Sequence, residues 1–240
     1  MLRNTASNRF LLLIFAATLV VVAGCERSPA PLAGGDHETA AAATQPGGDS
    51  TSSRAESDRP NILFIITDDQ APRTTGFEGN AHIRTPNLDR LAAEGMVFSR
   101  AYVPLPQCAP SRAAMLTGYY PHVHGPMSNN NARIAAGVPT LADLLKQRGY
   151  RCGLVGKWHL GDPTRKQAGF DDFWVNIDKE HMDRSQKYTR PLLVANGATV
   201  RPQRFLTDAL TDYAIEFIDQ PDRRPFFLWL AYHAPHTPMA

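Results

Sequence analysis

Cysteine is scarce in this chain, with three in 240 residues, at positions 25, 108 and 152. Three thiols so placed give no zinc-ligand spacing and no even disulfide framework. Charge of one sign is equally lacking. The formal net charge is +2 and no polybasic run occurs, so nucleic acid is not an expected partner. Long apolar runs are nearly absent too. The stretch Phe10 to Ala23 is short for a membrane-spanning helix of about 20 residues, and no internal repeat is found. What is present, 43% hydrophobic and 20% charged residues, is an ordinary globular composition.

Arg3 and Arg9 precede the apolar stretch Phe10 to Ala23, and Val22-Ala23-Gly24-Cys25 follows the pattern of a bacterial lipobox. Residues 1–24 therefore read as a lipoprotein signal, and the mature chain is expected to begin at a lipidated Cys25 that anchors an exported protein to the cell envelope, on its periplasmic or outer surface. A plain signal peptide cut near Ala23 or Gly24, or an uncleaved anchor, are the alternatives. Residues 25–58 are Ala, Gly, Ser, Thr and Pro with almost no large apolar side chain, a composition that cannot bury enough surface to fold and reads as a flexible tether. The catalytic region is expected over residues 59–240.

Within it, Asn61 to Thr67 is a continuous apolar, β-branched run, the pattern of a strand buried on both faces. Thr85-Pro86 and Pro139 open helical patterns that Gly95 and Gly149 close. Met96 to Tyr102, Tyr150 to Val155 and Phe226 to Ala231 read as strands, and Phe205 to Ile218 as an amphipathic helix. Phe170 to Val175 is expected to pack at the domain edge, and Asp183 to Arg201 to form a loop or substrate-side insertion. Buried strands alternating with amphipathic helices predict an α/β sandwich with a largely parallel sheet. Such sheets place their sites just past strand ends.

Four polar clusters lie there: Asp68-Asp69, the segment around Cys108, Gly156-Lys157-Trp158-His159-Leu160-Gly161, and His233-Ala234-Pro235-His236. Adjacent aspartates are commonly a turn or helix cap. They can reach one ion only if the backbone turns between them, and their hard oxygens would then suit Ca²⁺ or Mg²⁺. Lys157 and His159 share a face of an extended chain, where they supply positive charge and a proton-transfer group, or else remain an exposed lysine and a satisfied histidine. Pro104 and Pro106 keep the chain out of a helix before Cys108, and Pro110 is tolerated in a first turn. A helix starting at Ser111 would leave Cys108 at its N-terminal mouth, where free N–H groups favour a tetrahedral anion, with Arg112 offering its guanidinium fork. Cys152 reads as a buried strand residue.

The cluster Cys108-Ala109-Pro110-Ser111-Arg112, followed by Thr117-Gly118, resembles the C-x-P-S-R-x-x-x-x-T-G signature of the sulfatase family. The four clusters also occur in that family's order, so the resemblance runs from Asn61 to the end. It implies an alkaline-phosphatase-like sandwich, and a Cys108 oxidised to formylglycine by a maturation enzyme, the hydrated aldehyde being the nucleophile. It further implies a divalent cation, Ca²⁺ or Mg²⁺, held by Asp68, Asp69 and modified Cys108, with Arg112 stabilising the hydrate. Lys157 would bind sulfate, His159 would act as base, and His236 would contact sulfate and assist the leaving alcohol. His122 and His124 are assigned to the pocket wall, and His233 to structure.

The implied reaction is hydrolysis of a sulfate ester on a small molecule or polysaccharide. A phosphonate or phosphate ester hydrolase of the same superfamily, or a lipid-anchored protein that binds sulfated glycan without turnover, are the alternatives. The family pattern continues with a later Asp-Asn or Asp-His pair and a second lysine, which have no counterpart before Ala240. The chain is therefore expected to be the N-terminal, truncated part of a longer sulfatase, with an incomplete metal shell and an uncovered sheet edge.

Overall fold

The computed structural model of the protein describes residues 10–15, 19–23, 59–130, 132–167, 169–170, 172–177 and 187–237. Cys25 and the segment read as a tether lie outside the described residues. The strands are β1 (Phe10–Phe15), β2 (Leu19–Ala23), β3 (Asn61–Asp68), β4 (Met96–Phe98), β5 (Arg151–Gly156), β6 (Phe173–Ile177), β7 (Leu193–Ala195), β8 (Ala198–Val200) and β9 (Phe226–Pro235). The helices are α1 (Pro86–Glu94), α2 (Cys108–Thr117), α3 (Pro121–His124), α4 (Leu141–Lys146) and α5 (Leu206–Ile218).

All strands join one sheet in the order β4-β2-β1-β3-β9-β5-β6-β7-β8. Its centre, β1-β3-β9-β5-β6, is parallel, and both flanks are antiparallel. The parallel centre follows from strands that bury both faces. On β9, Phe227, Trp229 and Ala231 face one core while Leu228 and Leu230 face the other. The first core takes Ala109, Ala113 and Leu116 of α2 and Ala142 of α4. The second takes Leu206, Leu210, Ala214 and Phe217 of α5. The result is the expected α/β sandwich, with helices on both faces of the sheet.

Several expectations are corrected. The helix expected from Ser111 begins at Cys108, because Pro110 falls within the first turn, where the missing N–H has no partner to lose. The strand after α1 ends at Phe98 rather than Tyr102. Pro139 does not open α4. Thr140 caps it instead, in a capping box with Asp143. Phe173 to Ile177 is a fully buried strand parallel to β5 rather than an edge segment. The expected loop over Asp183 to Arg201 contains the hairpin β7–β8, which completes one edge of the sheet. Separately from these corrections, residues 10–15 and 19–23, which carry the apolar stretch read as a leader, lie in the sheet as β1 and β2. There β1 pairs with β3, and β2 links β1 to β4.

Candidate active site

The parallel strands β3, β5 and β9 end at the same edge, and their terminal residues meet there. Asp68 is the last residue of β3 and is buried, while Asp69 takes a left-handed turn (φ 62°). That turn is the backbone reversal two adjacent aspartates need to serve one site. After β5, Gly156 adopts φ +108°, and Lys157 N–H donates to the Ala231 carbonyl of β9 at 2.8 Å. A Cβ on Gly156 would lie 2.0 Å from that same carbonyl oxygen, so only glycine lets the two strands approach this closely. The chain then carries Lys157 inward. Its buried ammonium pairs with the Asp68 carboxylate in a short ion pair and lies 3.5 Å from Cys108 Sγ.

Cys108 arrives from the other direction, as the first residue of α2. Gln107, extended at φ −132°, stands at the N-cap, and the first helical bond runs from Ser111 N–H to the Gln107 carbonyl at 3.0 Å. Asn129, which no sequence pattern singles out, accepts the Ala109 N–H through Oδ1 at 2.9 Å. It stands in for the side-chain cap that Gln107 does not provide. Cys108 Sγ donates to Asp68 Oδ1 at 3.4 Å. Arg112 is fully buried one turn on. It donates to the Lys157 carbonyl at 2.6 Å and approaches Asp68 Oδ2 to 3.7 Å.

Electrostatics follow from this packing. Burial pushes the Asp68 carboxyl up, but Arg112 and Lys157 together outweigh it and hold the group below the usual carboxylate range. The Cys108 thiol is raised by burial and by Asp68, against the opposing pull of Lys157. An unmodified Cys108 is therefore a protonated thiol at neutral pH, not an activated thiolate. His233 is pushed down to about 3, first by burial and then by the Lys157 ammonium, so it is neutral. Its 3.9 Å approach to Asp68 is thus not an ion pair.

Asp68, Asp69, Gln107, Cys108, Arg112, Asn129 and His236 line a pocket of about 360 Å³; Lys157 and His233 are not among the residues lining it. His236 is half-buried at its mouth, with Nε2 3.6 Å from Asp69 Oδ2 and Nδ1 2.6 Å from the Thr237 carbonyl. A carbonyl only accepts, so Nδ1 carries the proton and Nε2 is left facing the pocket. The structure thus gathers Asp68, Asp69, Cys108, Arg112, Lys157 and His236. His159 follows Lys157 in a left-handed conformation (φ 64°), half-buried, and is not among the residues lining this pocket. His122 and His124 do not line it either. They lie on α3, beyond the C-terminal end of α2, which corrects their assignment to the pocket wall.

For a divalent cation, the donor set fits. Ligand atoms of Asp68, Cys108 and His236 lie within 4.8 Å of one another, and Asp69 adjoins His236. Two carboxylates, with an oxygen in place of the sulfur at residue 108, make a hard donor set suited to Ca²⁺ or Mg²⁺.

The sulfatase family model matches residues 60–240. The chain belongs to the sulfatase family. It is 34% identical over 184 residues to the N-acetylglucosamine-6-O-sulfatase of Bacteroides thetaiotaomicron, a match covering 76% of this chain and 32% of the relative. It is 35% identical over 210 residues to the human N-acetylgalactosamine-6-sulfatase, covering 75% of this chain and 40% of the relative. Among solved structures, one bound to its substrate D-glucosamine-2-N,6-O-disulfate superposes with a TM-score of 0.67 at 35% identity, over 75% of this chain and 35% of the other. Ps i-CgsB in complex with k-i-k-neocarrahexaose gives 0.67 at 36% identity, over 75% and 46%. The chain thus spans a third to two fifths of the length of these curated relatives.

Proposed function

We propose that this chain carries the nucleophile half of a sulfatase that hydrolyses sulfate esters of carbohydrates, using a formylglycine made from Cys108. The observation that carries the reading is the convergence of Asp68, Lys157 and Arg112 on Cys108 at the start of α2. A thiol held protonated there is a poor nucleophile. Its conversion to a hydrated aldehyde would supply two hydroxyls, one to attack sulfur and one to lose its proton when sulfate departs.

A divalent cation held by Asp68, Asp69 and residue 108 would supply positive charge for the reacting oxygens. Lys157, whose ammonium lies 3.5 Å from the Cys108 sulfur, would bind a sulfate oxygen, and Arg112 would hold the hydrate through its guanidinium fork. A proton on His236 Nε2 would pass to the leaving alcohol oxygen. The resemblance gives the role of base for the second hydroxyl to His159, which does not line this pocket. Relatives named for 6-sulfated hexosamines, and solved neighbours bound to sulfated sugars, support a carbohydrate sulfate over a phosphonate ester or a non-catalytic binding role.

The same proposal includes export and lipidation at Cys25, which incorporation of labelled palmitate into wild type but not Cys25→Ala would test. The chemistry is tested on the full-length protein coexpressed with a formylglycine-generating enzyme. The tryptic peptide Ala101–Arg112 is expected to carry an aldehyde at residue 108, and the protein to release sulfate from N-acetylglucosamine 6-sulfate. An intact thiol in a protein of full activity would exclude this mechanism.

A further inference from the structure

The segment before β7 reaches the active-site end of β9 through the side chains of Lys187 and Tyr188. Tyr188 is buried, and its hydroxyl donates to the His236 carbonyl at 2.6 Å and lies 3.4 Å from the His233 carbonyl. Its ring tilts against His233 (centroids 5.8 Å), and the His233 ring stacks on His236 (4.7 Å, 30°). Lys187 Nζ donates to the Thr237 carbonyl at 3.0 Å, so consecutive residues grip both sides of the His236 peptide. Tyr188 is itself fixed from behind. The Phe205 ring stacks on it at 5.4 Å, and the Leu206 N–H at the start of α5 donates to its carbonyl at 2.7 Å.

We infer that Tyr188 is the positioning residue for His236, fixing backbone and ring so that Nε2 faces the pocket. His236 follows the end of β9, and its own N–H bonds the His233 carbonyl at 3.0 Å; among the described residues, the Tyr188 hydroxyl is the group from another segment that hydrogen-bonds the His236 carbonyl, with Lys187 holding the next carbonyl. Without it, the His236 carbonyl loses this partner and the turn that carries the ring is held by its own bond, the His233 stack and Lys187. A buried phenol ring with one rotatable hydroxyl is a stiff tether, so loss of the hydroxyl alone removes the restraint without emptying the site.

This inference rests on the proposed sulfatase reading, in which His236 protonates the leaving alcohol. In the full-length matured protein, Tyr188→Phe is expected to lower kcat on N-acetylglucosamine 6-sulfate about tenfold, with KM changed less than about twofold. Turnover of 4-nitrophenyl sulfate, whose phenolate leaves without a proton, should fall less than about threefold. In a His236→Ala background the same substitution should have no further effect. Equal loss on both substrates, or additive loss in the double variant, would overturn the assignment.

A wild-type protein inactive on both esters would instead refute the sulfatase reading. In that case the His236 ring resonances, assigned by their disappearance in His236→Gln, decide the clamp independently of turnover. They are expected to shift in Tyr188→Phe, and their coincidence with wild type would overturn the inference.

Discussion

Asp68 meets two buried cations and a thiol at the wall of the pocket, and the balance among them fixes what each can do. Lys157→Met keeps the length of the stem and removes the ammonium, leaving Asp68 with Arg112 alone at 3.7 Å. Breaking a buried pair costs about 3 kcal/mol or more. The urea midpoint of that variant should fall accordingly, and Lys157→Arg should not restore it, since a planar fork cannot fill the site of a point charge. Cys152 shows the complementary case. It is fully buried on β5, and burial, with Asp172 nearby, pushes its thiol up to about 12. The unfolded thiol releases its proton near about 8.5. Between those values the native state binds more protons than the unfolded chain, so stability is whole below pH about 8.5 and falls as the pH rises, by at most about 1.4 kcal/mol per unit. Cys152→Ala should remove this contribution. Unfolding curves from pH 7 to 10 should converge for the two proteins, and parallel curves would contradict it.

The strand ends hold these residues in place, and here glycine is decisive. A methyl group on Gly156 would strike the Ala231 carbonyl, and φ +108° strains any side chain whatever the space. Gly156→Ala is therefore expected to cost more than about 3 kcal/mol, because neither backbone can yield without breaking the β5–β9 ladder. Circular dichroism melting would show it, and a variant as stable as wild type would mean the two strands can part at little cost. How far such elements could be read in advance depended on their periodicity. The strands β3, β5 and β9 are runs buried on both faces, and α5 carries its apolar stripe in sequence, so each was legible. The hairpin β7–β8 has strands of three residues each, too short for an alternation to show. Asp68 and Lys157 were legible as candidates from their place after buried runs, but their pairing across 89 residues was not. Tyr188 carried no local signal at all, since its role comes from contacts 45 and 48 residues away. Asn129 likewise caps α2 from 20 residues downstream.

At the scale of the whole molecule, the sheet is covered unevenly. Both faces of β5, β6 and β9 are buried, whereas Met96, Val97 and Phe98 of β4 are all exposed and α1 buries no residue. Among the described residues, the sheet connects β4 to β3 only through β2 and β1. The leader reading then has a structural consequence. Removal of residues 1–24 takes β1 and β2 away, opening the β3 edge from Ile62 to Ile66 and leaving β4 without a strand partner. An apolar open edge beside an exposed apolar strand is a template for intermolecular pairing. Residues 25–240 produced alone are therefore expected to form large particles by light scattering at concentrations where residues 1–240 do not. A peptide of residues 10–23 added in trans should reduce that association, because it can restore the parallel pairing with β3 and the antiparallel link to β4. If residues 25–240 stay monomeric without it, the β3 edge is closed by some other part of the chain, and the strand pairing of the leader is not what protects it.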